Sequence, residues 1–110
     1  MLFHILSREA WSSASADARY MPPSLATDGF IHLSTAEQLL PTAERYFAGR
    51  TDLVVLAIDP ARIDAELRYE EAHGESFPHL YGSLAREAVV GVEPLILVGG
   101  RFVFPGSLED

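Results

Sequence analysis

Four histidines and the adjacent pair Glu70 and Glu71 hold most of the chemistry this chain can offer. His4 and His32 each interrupt an apolar run, Leu2-Phe3-His4-Ile5-Leu6 and Phe30-Ile31-His32-Leu33. His79 sits in Phe77-Pro78-His79-Leu80-Tyr81-Gly82, and His73 precedes Gly74. An imidazole near neutral pH can take a proton, give one, or orient a ligand. Among apolar neighbours it can equally be a core residue bonded to a backbone carbonyl. Both readings stand for His4 and His32, although two strands each giving a core-adjacent position to His point towards a shared polar cleft. Glu70 and Glu71 are neighbours, so on a strand one can face a cleft while the other faces solvent.

The absences narrow the chemistry. There is no Cys, Lys or Asn, and all eight basic residues are Arg. Thiolate, Schiff-base and Walker-lysine chemistry therefore have no residue to carry them. No two histidines have the i, i+4 helical spacing of a zinc motif and no strand reads His-x-His, so no metal is expected. Gly82-Ser83 and Gly106-Ser107 lack the Gly-x-Ser-x-Gly elbow, and no Gly-x-Gly-x-x-Gly occurs. Neither glutamate has a close acidic partner that would define a two-carboxylate glycosidase.

These residues must be held by elements that periodicity and breakers predict. Leu2 to Leu6 reads as a strand, followed by a helix over Arg8 to Ala16 capped by Ser7 and anchored by Trp11. Asp17 to Asp28 reads as loop, because Pro22-Pro23 opposes regular structure. The Asp28-Gly29 turn feeds a strand from Phe30 to Leu33, with Phe30 and His32 on one face and Ile31 and Leu33 on the other. Ser34-x-x-Glu37 and Thr35-x-x-Gln38 both fit a capping box. Thr35 is the expected cap, while Ser34 stays open between capping and ligand contact.

A helix over Ala36 to Ala48 follows, its apolar face formed by Ala36, Leu40, Ala43 and Phe47, with a kink or break expected at Pro41. Leu53 to Ile58 is continuously apolar and reads as a central strand. Leu67 to Glu71 reads as another. Phe77 to Gly82 reads as a stiff aromatic loop that either lines a planar ligand's pocket or packs with His79 and Tyr81 bonded to backbone. Val89 to Val92, Leu95 to Val98 and Arg101 to Phe104 read as strands, the last two joined by a Gly99-Gly100 hairpin. Strands single among helices early and in a run late predict α+β with mostly antiparallel sheet, in one domain over residues 1–110.

Composition sets further expectations. A net charge of −8 opposes a nucleic-acid footprint and a membrane-surface role, since both need clustered Lys and Arg. A small anionic ligand would need only one or two well-placed arginines. No apolar run approaches the ~18–20 residues of a membrane span, and no secretion signal is legible, so a cytoplasmic location is the expectation.

Taken in order, the His4 strand, Trp11, Gly29-Phe30-Ile31-His32-Leu33-Ser34-Thr35 with Gln38, Leu67-Arg68-Tyr69-Glu70 and Phe77-Pro78-His79-Leu80-Tyr81-Gly82 resemble the small bacterial and plant family known as domain of unknown function 952. The resemblance implies an ADP-ribosyltransferase-like fold: two small, roughly orthogonal sheets, mostly antiparallel, with flanking helices and a nicotinamide–dinucleotide cleft between them. By position it implies His4 for holding ribose and Leu33-Ser34-Thr35 for supporting the site. Glu70 would then bond the nicotinamide ribose, and Tyr81 would stack on the ring. Breaking a nicotinamide–ribose bond builds positive charge on the sugar, which one fixed carboxylate stabilises.

The departures lie at His4, followed by Ile5-Leu6 where active relatives carry Gly or Thr, and at Arg68-Tyr69-Glu70, which lacks the second Glu or Gln of protein-modifying members. His32 and His79 have no counterpart in the general transferase pattern. The expectation is therefore transfer or hydrolysis at a ribosyl bond of NAD or a related nucleotide. Glu70 and His4 would be catalytic, and His32, Ser34, His79 and Tyr81 would bind the cofactor. The alternatives are a non-catalytic domain binding a small nucleotide or anionic metabolite, and a His-based metal-dependent enzyme.

Overall fold

The computed structural model describes residues 1–108. The first half contains β1 (Leu2–Ser7), α1 (Arg8–Ala14), β2 (Arg19–Tyr20), α2 (Ser24–Thr27), β3 (Ile31–His32) and α3 (Ala36–Phe47). The second half contains β4 (Leu53–Ile58), β5 (Glu66–Ala72), β6 (Glu75–Tyr81), β7 (Leu84–Ala85), β8 (Val89–Pro94), β9 (Ile96–Val98) and β10 (Arg101–Val103). Sheets run in the orders β1-β4-β8 and β3-β6-β5, with two-stranded ribbons β2-β7 and β10-β9. Strand pairing is antiparallel throughout these sheets, so the chain is α+β with antiparallel sheets and few helices.

β4 is apolar at every position because both its faces are covered. On one side Val54, Leu56 and Ile58 pack with Leu2, Leu6, Trp11, Tyr20, Ile31 and Leu80. On the other, Leu53, Val55 and Ala57 pack with Phe3, Ile5, Leu39, Ala43 and Phe102. Period-2 alternation along β1 sends Leu2, His4 and Leu6 to the first side, towards β3 and β6. His4 therefore faces the second three-stranded sheet. Backbone bonds between Phe3 and Ser34, 2.8 Å in each direction, join the end of β3 to β1.

Caps form where expected. Ser7 Oγ accepts from Ala10 N–H at 3.0 Å to start α1, and Thr35 N–H donates to Gln38 Oε1 at 3.1 Å at the start of α3. Gln38 Nε2 also donates to Ser76 O at 2.8 Å, tying α3 to β6. α3 continues through Pro41 as one helix, with no break at the position where a kink or break is expected. The proline ring is exposed, and its missing N–H removes one bond from a helix already anchored by Leu39 and Ala43. The buried face is centred on Leu39 and Ala43, leaving Ala36 exposed.

Two regions expected to be loop are ordered elements. The stretch after α1 contains β2 and the short α2, because Pro22 and Pro23 precede a helical turn, where proline is tolerated. Phe77 to Tyr81 belongs to β6, which pairs with β5 over seven residues and is central in its sheet. Proline is expected only at sheet edges. Here Pro78 O accepts from Leu33 N–H at 3.0 Å, so the position that lacks an N–H faces the point where β3 has already ended. β3 itself is shorter than the Phe30 to Leu33 expected, although Ile31 and Leu33 are buried as alternation requires.

Candidate functional site

The face of β3-β6-β5 turned away from Ile31 and Leu80 collects the residues of interest. Register places Arg68 opposite His79, Glu70 opposite Phe77 and His32 opposite His79. The Leu33 N–H to Pro78 O bond makes Leu33/Pro78 a hydrogen-bonded pair. His32/His79 is then the intervening non-hydrogen-bonded pair, in which side chains approach most closely. Their ring centroids are 5.4 Å apart, edge to face. Phe30 stacks on His79 with centroids 4.0 Å apart and planes 17° from parallel. It also contacts His32 at 4.7 Å and Tyr81 at 5.2 Å.

Each of those two histidines has one nitrogen committed to a carboxylate. His79 Nδ1–H donates to Glu70 Oε1 at 2.9 Å, and Tyr81 O–H donates to the same oxygen at 2.5 Å. These donors, Tyr81 foremost, hold the Glu70 carboxyl below its ordinary range and keep it ionised. The hydrogen bond to Glu70 in turn raises the Tyr81 phenol, over whose ring the Arg68 guanidinium lies at 4.4 Å. His79 is buried yet its Nε2 has no protein partner. Among the described residues no fully buried side-chain nitrogen or oxygen lacks one, so Nε2 opens to solvent. His32 Nε2 meets Asp28 Oδ2 at 2.9 Å, and this exposed pair pulls the Asp28 carboxyl down.

His4 is differently placed. Its Nδ1–H donates to the carbonyl of His32 at 2.8 Å, an acceptor that β3 turns towards β1. That fixes the tautomer, so Nε2 accepts from Tyr20 O–H at 3.1 Å. Burial lowers its pKa to about 4 and pushes Tyr20 up to about 12. At neutral pH His4 is uncharged, with both nitrogens engaged.

A cavity of about 610 Å³ is lined by residues of β1, β2, β3, α3, β5 and β6 and their connections, His4, Tyr20, Phe30, Phe47, Phe77 and His79 among them. Of the expected site residues, His4, His32, Ser34 and His79 line it. Glu70 and Tyr81 do not line it, and reach it through His79. Ser34 is buried, with its backbone bonded to Phe3. Glu71 is exposed. Tyr20 and Tyr46 also line the cavity without having been singled out from the sequence, as does His73, counted there among the four histidines but given no site role. Tyr46 Oη and His73 Nε2 lie 2.8 Å apart across its rim, with His73 at φ 53° in the β5–β6 turn. The i, i+2 relation of Phe30 to His32, the histidines on two separate apolar strands and the aromatic Phe77 to Gly82 segment signalled part of this grouping in advance. Among the described residues no three His, Asp or Glu side chains converge as a metal site would require.

The same architecture recurs in solved structures. A crystal structure of protein CC0527 from Caulobacter crescentus is 36% identical, covers 93% of this chain and 92% of its own, and superposes with a TM-score of 0.82. A solution NMR structure of CC0527 is likewise 36% identical, covers 92% of this chain and 89% of its own, and gives 0.78. No curated protein matches. The family model described as protein of unknown function (DUF952) matches residues 5–92, most of the chain, and the protein belongs to that family.

Proposed function

We propose that the cavity binds a nucleoside-like ligand in an ADP-ribosyltransferase-like cleft and that the Glu70–His79 pair promotes cleavage or transfer at its N-glycosidic bond. The observation that carries this reading is the ionised Glu70 holding His79 by Nδ1 while Nε2 stays open beside an aromatic-walled cavity. A carboxylate that fixes the tautomer and orientation of an imidazole leaves its other nitrogen as a general base. With the heterocycle against Phe30 and Tyr20, a water or acceptor hydroxyl bonded to His79 Nε2 attacks the anomeric carbon. Its proton passes to Nε2 as the C–O bond forms. The C–N bond breaks with its electron pair leaving on the ring nitrogen, which in a nicotinamide glycoside neutralises the ring cation. Glu70 offsets the positive charge shared between the sugar and the imidazolium.

NAD enters this reading as one candidate co-substrate. His32 and Ser34 serve binding, and Tyr81 serves it indirectly by holding the Glu70 carboxylate. His4 serves as wall and as the link to β3, having no N–H left for a ribose hydroxyl. The full engagement of His4 favours a second reading, non-catalytic binding of the same ligand class. Incubation with nicotinamide riboside, its mononucleotide and the dinucleotide separates the two. Nicotinamide release lost by about 10²-fold or more in both Glu70→Gln and His79→Ala supports catalysis. Saturable binding without release supports the binding module, and neither heat nor release contradicts both.

A further inference from the structure

We infer that the cavity takes the phosphate-free form of its ligand, a nucleoside with a neutral or cationic ring, in preference to the nucleotide or dinucleotide. The inference rests on reading the cavity as a nucleoside-like site. A phosphate is held by Arg or Lys, or by free N–H groups at a helix start. None of the residues lining the cavity is Arg, Lys, Asp or Glu, and the groups there that can carry positive charge are four histidines. His4 has both nitrogens in use. His32 and His79 each point one nitrogen at a carboxylate, so any positive charge they gain is offset by Asp28 or Glu70. His73 Nε2 is engaged by Tyr46.

Arg68, beside Tyr81, is forked onto Glu66 at 2.8 and 3.0 Å rather than turned to the cavity. The start of α3 offers little. Ser34 N–H is bonded to Phe3 O, Thr35 N–H is bonded to Gln38 Oε1, and the acidic Glu37 occupies the first turn. A doubly charged phosphate entering here would exchange water for apolar rings, with the Asp28 and Glu70 carboxylates behind His32 and His79. A cationic ring would meet the faces of Phe30 and Tyr20 in the negative field of Asp28 and Glu70.

Isothermal titration of the wild-type protein with nicotinamide riboside, nicotinamide mononucleotide and the dinucleotide tests this. We expect the riboside to bind at least tenfold more tightly than the mononucleotide, and Phe30→Ala to weaken the riboside by tenfold or more. A mononucleotide or dinucleotide that binds as tightly as the riboside overturns the inference while leaving the nucleoside-like site standing. Riboside binding unchanged by Phe30→Ala places the ligand elsewhere and overturns it. Binding of none of the three removes the underlying reading of the cavity, and the inference with it.

Discussion

At the scale of single residues, the histidines divide by what their two nitrogens touch. His79 keeps one nitrogen free and is held by an ionised carboxylate, the arrangement of a positioned base. His4 keeps none free and links two sheets. That difference has a thermodynamic signature. The folded state holds His4 near pKa 4, whereas an unfolded histidine titrates near 6.5. The unfolded chain therefore binds the proton first, so stability is complete above pH 6.5 and falls as pH drops towards 4. The loss from this one group is roughly 3 kcal/mol across that window. Urea titrations from pH 7 to 4.5 should show this slope, and His4→Asn, which retains a donor towards the His32 carbonyl, should flatten it. An equal slope in wild type and variant would mean that His4 is not buried neutral.

At the scale of elements, much was legible where the signal is local. Ser7 capping, the Trp11 anchor, the Thr35 to Gln38 box and the fully buried Leu53 to Ile58 strand all depend on nearest neighbours and period. Glu70, His79 and Tyr81 were expected at one site, but the bonds joining them were not legible, because these depend on the register of β5 against β6. Phe77 to Gly82 read as loop because Pro78 and Gly82 are breakers in isolation. Only the early end of β3 makes Pro78 tolerable in a central strand. Gly82 follows β6 at φ 155°, and a Cβ there would lie 2.7 Å from Ala65 Cβ. Gly82→Ala should therefore cost about 2 kcal/mol in chemical denaturation, from overpacking and backbone strain together. A change below about 0.5 kcal/mol would show that this turn can relax.

At the scale of the whole molecule, the charge of −8 surrounds a cavity with no fixed cation among its lining residues. Screening then acts oppositely on ligands of opposite sign. Raising salt from 0.02 to 0.5 M shortens the Debye length from about 20 Å to about 4 Å. Riboside affinity should fall over that range and dinucleotide affinity should rise, as read by calorimetry. Parallel trends would contradict an electronegative site. No helix among the described residues is long and apolar enough to cross a membrane, and the family match spans residues 5–92. We propose above that Glu70 acts at an N-glycosidic bond through His79. The most direct test is nicotinamide release from the riboside by wild type, Glu70→Gln and His79→Ala, with riboside affinity measured alongside. Wild type should release nicotinamide, and both variants should lose release while retaining binding. Release undiminished in either variant would contradict the proposal, as would an inert wild type that binds the riboside.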